Sequence, residues 1–279
     1  MFIASRNLSL PAIYACDHEV TQGEYETYCK YGRTTPSSTS GVGTNYPAYN
    51  VSWYDAIVYC NLRSKADGLT PCYKLGTSND TYDSTDVTKW DGVVKDNLSS
   101  PTKYCGPSND NVAWNGITCD WTANGWRLPT RAEWEMLARG GNLTNENQTT
   151  YSGSNTVGDV AWCSSNSDSK THVVKTNKVE NKDSANSLGL YDMSGNVWEW
   201  CWDFYNKIDS NTAWTGPTNA STAVSWKFCH VICGGSYHVV EAEDCSVNCS
   251  DYKVPYLRCY GSPAYHDGDF GFRVVRNAQ

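Results

Sequence analysis

The chain has 279 residues, a formal net charge of −8, and a 39% hydrophobic composition that includes 12 Trp and 19 Tyr. An acidic chain of this kind argues against nucleic acid as a partner. No apolar run reaches the roughly 18 residues a membrane-spanning helix needs. The 13 Cys are odd in number and scattered, which does not suggest a compact disulfide framework.

Residues 1–20 read as extended. They lack a basic stretch followed by a long apolar run, so either a signal was removed or none was there. Thr21-Gln22-Gly23-Glu24 is a capping box and predicts a short helix to about Tyr31. Residues 32–51, rich in Gly, Ser, Thr and Pro, predict a loop. Ser52 caps a second helix to about Lys65, with Trp53, Ala56, Ile57 and Cys60 on its buried face. Residues 66–125 read as a loop-rich insertion anchored by Trp90, Trp114 and Trp121. Its acids Asp80, Asp83, Asp86, Asp91 and Asp96 do not have calcium-loop spacing and read as solvated surface.

Thr130 and Glu133 form another capping box. The helix they open buries Trp134, Leu137 and Ala138 and stops at Gly140. Residues 142–187 predict loop, with an extended stretch near Val173-Val174. Gly189 to Trp200 (GLYDMSGNVWEW) gathers rings and glycines around Glu199 and reads as an irregular, rigid hub. Residues 206–225 read as polar loop. The tail predicts short strands and turns and ends on the β-like run Phe272-Arg273-Val274-Val275. No internal repeat is visible. Few short helices, short strands and long loops make one α+β domain over residues 1–279.

Several motifs recur in one order: His18-Glu19-Val20-Thr21, Val51 to Ala56, Gly125 to Thr130 with Glu133-Trp134-Glu135, Gly189 to Trp200, Gly234 to Tyr237, and Gly271-Phe272-Arg273. Together they resemble the formylglycine-generating-enzyme branch of the C-type lectin fold. The resemblance implies a domain with little regular secondary structure, its ends brought together and its C-terminal segment presented as a binding surface. It also implies a calcium site held by Glu199 and the carbonyls of Ser194, Gly195 and Val197, a cage suited to a hard cation. A Glu199 hydrogen-bonded to backbone amides is the alternative, and both stay open here. No cofactor is otherwise required. The family's second calcium site finds no side-chain oxygen at Val160.

The enzymes of that branch use two cysteines after the Gly-Gly-Ser motif to bind copper. The first falls near Val239, which can neither ligate a metal nor form a thiolate. The second falls near Asp244 or Cys245. Cys229, Cys233, Cys245 and Cys249 have spacing compatible with zinc, but an extended tail need not bring them together. His18 and His172 read as surface or satisfied residues. No Ser-His-Asp order, phosphate loop or metalloprotease helix motif occurs.

Residues 228–269 hold five of the 13 Cys, five Tyr and three of the five His, and no Trp, Met, Gln or Thr. This bias resembles the variable proteins of diversity-generating retroelements, in which randomised Asn codons become NNC codons. Such codons cannot encode Lys, Glu, Gln, Met or Trp. Lys253, Glu241 and Glu243 depart from the pattern and read as fixed or differently templated. The resemblance implies a non-catalytic surface protein, exported and lipid-anchored in its full-length precursor, that binds a protein or glycan. The expected contact residues, chosen for contact chemistry, are Phe228, His230, Ile232, His238, Val239, Val240, Asp251, Tyr252, Tyr256, Leu257, Tyr260, Tyr265, His266 and Asp267. Ser236, Tyr237, Gly271, Phe272 and Arg273 are assigned to the scaffold. A copper oxidase acting on a peptide cysteine is the alternative.

Overall fold

Helices start at all three capping boxes. A computed structural model describes residues 10–75, 85–97, 99–141, 148–176, 184–204, 229–239 and 260–278. Helix α1 is Gln22–Tyr28, α2 is Trp53–Ala66 and α3 is Arg131–Ala138. At α2, Ser52 Oγ accepts from Asp55 N at 3.1 Å, and Asp55 Oδ2 accepts from Ser52 N at 3.0 Å. Two otherwise orphaned amides are satisfied this way. Ser52→Ala is expected to lower stability by about 1 kcal/mol, read as a shifted urea midpoint with an unchanged slope. An unchanged midpoint would show the cap to be dispensable. Helix α3 ends at Gly140, whose φ of +65° suits a residue without Cβ.

Helix α2 is buried from Trp53 through Asn61, so it runs through the core. The 66–125 segment packs against it. Strand β2 (Tyr73–Leu75) pairs antiparallel with β5 (Ile117–Cys119), and β3 (Val94–Asp96) with β4 (Lys103–Cys105). The expected tryptophan anchors are there. Trp90 meets Trp114 edge-on at 5.2 Å, and Trp114 Nε1 donates to Asp91 O at 2.7 Å. Trp121 lies under the Arg127 guanidinium.

The chain ends meet. Strand β1 (Ile13–Ala15) pairs antiparallel with β12 (Val275–Asn277). The largest sheet among the described residues has four strands in the order β10-β9-β8-β11, namely Tyr260–Gly261, His230–Cys233, Trp198–Phe204 and Phe270–Gly271. Strand β9 is antiparallel to β8, while β11 is parallel to it. Strand β8 is buried on both faces from Trp198 to Asp203, so its sequence shows no alternation.

Three expectations need correction. The hub is not irregular throughout, because β7 (Ser194–Gly195) and the start of β8 lie inside it. Gly195 has φ +80°, and a Cβ there would sit 2.3 Å from the Trp162 carbonyl oxygen. That glycine permits the parallel pairing of β7 with β6 (Ala161–Trp162). The extended stretch expected near Val173-Val174 gives way to a turn at Val174-Lys175, where Val174 N donates to Asn45 O. The loop expected over 142–187 carries a one-turn helix α4 (Val157–Val160) and β6, both too short to leave a periodic signal.

Candidate ligand-binding surface

Glu199 lies at the centre of the hub with no exposed surface, and so does Arg273. Arg273 Nη2 donates to Glu199 Oε1 at 2.8 Å, and its Nε donates to Oε2 at 3.0 Å. Trp134 Nε1 on α3 donates to Oε2 at 2.7 Å. The remaining guanidinium donors reach Cys16 O at 3.1 Å and Tyr191 O at 2.8 Å. The Gly-Phe-Arg motif of the C-terminal end is thus the partner of the hub's acid, and it ties β8 to the N-terminal segment.

This arrangement does not fit a calcium ion at Ser194, Gly195, Val197 and Glu199. Both carboxylate oxygens already accept bonds, and a cation placed there would face a guanidinium at contact distance. The backbone-amide alternative is not what the structure has either; the donors are Arg273 and Trp134. The thermal midpoint is therefore expected to be the same in calcium and in a calcium chelator. A rise in calcium would overturn this.

Two further buried acids flank the pair. Glu19 accepts from Asn196 Nδ2 at 2.7 Å and from Val197 N at 3.0 Å. Burial, with Asp192 and Glu199 nearby, pushes its carboxyl well above the usual range. Asp192 Oδ2 accepts from Lys175 N at 2.7 Å, while its Oδ1 is buried without a partner. Burial raises it to about 6, despite the bond from Lys175 N and the nearby Arg273.

The structure divides the expected contact residues. Phe228, Val240, Asp251, Tyr252, Tyr256 and Leu257 lie outside the described residues, and Tyr260 is described only as backbone in β10. His230 and Ile232 are core residues, not contacts. His230 is 1% exposed, stacks on Trp53 with ring centres 3.8 Å apart, and bonds through Nδ1 to Trp202 O at 2.8 Å. Burial holds its pKa down at about 3, so the ring is neutral. Val239 is also buried and packs with the core. The continuous β-prone run His230 to Cys233 ahead of two glycines was the available signal for a central strand. His230→Ala should cost roughly 2 kcal/mol through lost stacking and an orphaned carbonyl. His238→Ala should cost almost nothing. Equal urea midpoints for the two variants would contradict this assignment.

His238 and Tyr265 are exposed, with Tyr265 at 45%. Two scaffold residues hold their loops together. Ser236 Oγ donates to Asp269 Oδ2 at 2.7 Å, and Tyr237 Oη donates to Gly268 O at 3.3 Å. Tyr265 Oη donates to Asp267 Oδ2 at 2.9 Å. The loop rests on the start of α2, where Tyr54 N donates to Pro263 O and Asn50 N to Asp267 O. His266 points inward instead. Its Nε2 lies 2.9 Å from Asp55 Oδ2. Asp55 meanwhile accepts from Ser52 N and Oγ and, through Oδ1, from Gly106 N at 2.7 Å.

Sequence reasoning missed the fixed flank of this surface. Ser262 Oγ is hydrogen-bonded to Asp110, and Tyr54 Oη donates to Asn111 O and Asn115 Oδ1. Arg33 Nη2 holds the same loop through Ser108 O and Asn109 Oδ1. Next to Asn111, Val112 is 84% exposed. Nothing local in residues 106–112 announces this position, because the partners come from distant segments.

The remaining histidines are satisfied. His172 stacks on Trp162 at 3.7 Å. His18 contacts Asp17 at 2.5 Å and Glu24 at 3.5 Å. Burial alone would raise Glu24, but its bonds to His18 and Thr21 N hold it down at about 2. Among the described residues, no three His, Cys, Asp or Glu side chains converge as a metal site. Among them, too, no helix is long and apolar enough to cross a membrane.

Residues 3–278 match the family described as the sulfatase-modifying factor enzyme 1-like domain. The chain belongs to this family. Within the sulfatase-modifying-factor family, it is 33% identical to a protein of Paenibacillus barcinonensis named chaperone protein LppX, over 78% of this chain and 75% of that one. It is 30% identical to the formylglycine-generating enzyme of Thermomonospora curvata, over 55% of each chain. Among solved structures it is similar to Treponema denticola variable protein 1, with a TM-score of 0.74 and 30% identity, covering 98% of this chain and 87% of that one. These family relatives carry different functional names, so the site, not the fold, must decide between them.

Proposed function

We propose that the protein is a non-catalytic ligand-binding member of the family. In this reading residues 228–269 are a contact surface diversified by a retroelement, and the protein is exported to the cell surface. The observation that carries the proposal is the mounting of the tail. His238, Tyr265 and Asp267 project from loops fixed by Ser236, Tyr237 and the start of α2. Side chains held this way can change without refolding the loop, which limits the ordering cost of binding. The similarity to the Treponema variable protein over nearly the whole chain supports the same reading. Val239 supports it too, because it stands where the copper-binding enzymes of the resembled branch need a cysteine. The ligand class is protein or glycan, recognised by Tyr and His tips.

The test is deep sequencing of the locus in a clonally grown culture. Substitutions concentrated at NNC codons of residues 228–269, and absent from the His230 and Ile232 codons, are the expected result. Rare and uniform substitutions would remove the retroelement. Stoichiometric, tight copper binding by the purified chain would instead favour the oxidase.

A further inference from the structure

We propose that Cys201 and Cys233 are a disulfide site that locks β8 to β9 at the root of the tail. Their sulfurs are 3.8 Å apart. Cys201 has no exposed surface and Cys233 is 1% exposed. The register sets Glu199 opposite Cys233. The register then shifts between Trp200 and Phe204, and Cys201 lies at the start of this irregularity, where its sulfur meets that of Cys233. Closing to the roughly 2.05 Å of a disulfide asks about 0.9 Å of each sulfur. Trp134, Leu137, Met193 and Val231 belong to the same apolar cluster as the two cysteines, and Glu199 lies opposite Cys233. Neither sulfur takes part in the Glu199–Arg273 pair.

The chemistry is thiol–disulfide exchange with a small disulfide such as oxidised glutathione. One protein thiolate attacks a glutathione sulfur, forms a mixed disulfide and releases one glutathione thiolate. The second protein thiolate then displaces the other glutathione. The protein loses two electrons and two protons, and glutathione disulfide is reduced to two thiols. Both sulfurs are inaccessible in the folded chain, so exchange takes place while the strands pair, before α3 closes over them. The inference does not depend on tail diversification. It adds that Cys233, although an NNC codon can encode it, is held fixed by its partner on β8.

The test starts from the full chain, unfolded in guanidinium with reductant and refolded in a mixture of oxidised and reduced glutathione. Remaining thiols are then blocked in acid, and the protein is digested without reduction for peptide mass spectrometry. A peptide joining Cys201 to Cys233 is expected. Its reduction should lower the thermal midpoint by about 5–10 °C, and Cys201→Ala should abolish that dependence on reductant. Recovery of both cysteines as blocked thiols, or of Cys233 joined to another cysteine, would overturn the proposal.

Discussion

Arg273→Met is expected to cost about 3–5 kcal/mol, because it leaves the Glu199 carboxylate buried and facing no cation. Three elements lose contact with the guanidinium at once: β8 through Glu199, the N-terminal segment through Cys16 O, and the hub through Tyr191 O. Trp134 Nε1 still donates to Glu199, but one neutral donor does not replace a bidentate cation. A fall in the thermal midpoint of about 10 °C corresponds to this loss. The double variant E199Q/R273M should recover part of it, since an amide carries no charge to desolvate. If R273M alone loses under about 1 kcal/mol, the ion pair is not the centre of the fold.

A second large effect concerns pH. Asp192 and Asp203 are both buried and both raised by burial to about 6. In the unfolded chain an aspartate titrates near its ordinary value, about 3.9. The folded state therefore binds more protons between those two values, and stability must rise as pH falls from about 7 toward 4. Each group contributes on the order of 3 kcal/mol across that window. Glu24 acts in the opposite direction and lower down. Its folded value of about 2 gives a contribution that is present above its ordinary value and lost as pH falls toward 2. The stability profile should thus peak on the acid side of neutrality. Asp192→Asn isolates one group. Asn tolerates the positive φ of 55° at this position, and its Oδ1 can still accept from Lys175 N. The variant should be more stable than the parent at pH 7.5 and similar to it at pH 4.5. Urea titrations at the two pH values decide it; a constant difference would mean that Asp192 is not the titrating group.

The parts of this fold that could be read from the sequence are those determined within a few residues. Thr21-Glu24, Ser52-Asp55 and Thr130-Glu133 each satisfy their own helix end, and all three helices begin there. The family-like order of motifs foresaw the meeting of the chain ends, but not how they are held. Glu199 and Arg273 are 74 residues apart, so no local pattern names them as partners, and the family analogy left calcium and backbone amides both open. The tail misled in a different way. Its composition is set by which codons vary, or by which residues make good contacts, and neither tells a buried position from an exposed one. His230 and Ile232 share the composition of the contact residues, yet they sit in a strand covered on both faces. Short strands such as β6, β7 and β11, each two residues long, carry too few side chains to show a period.

The Asp55–His266 contact has a consequence for how such a protein can evolve. Asp55 is fully employed by Ser52 and Gly106 before the histidine arrives. Replacing His266 removes a bond from the tail but strands no donor or acceptor in the scaffold. Drift at that codon is therefore felt first in the tail, because the α2 cap is made without the histidine.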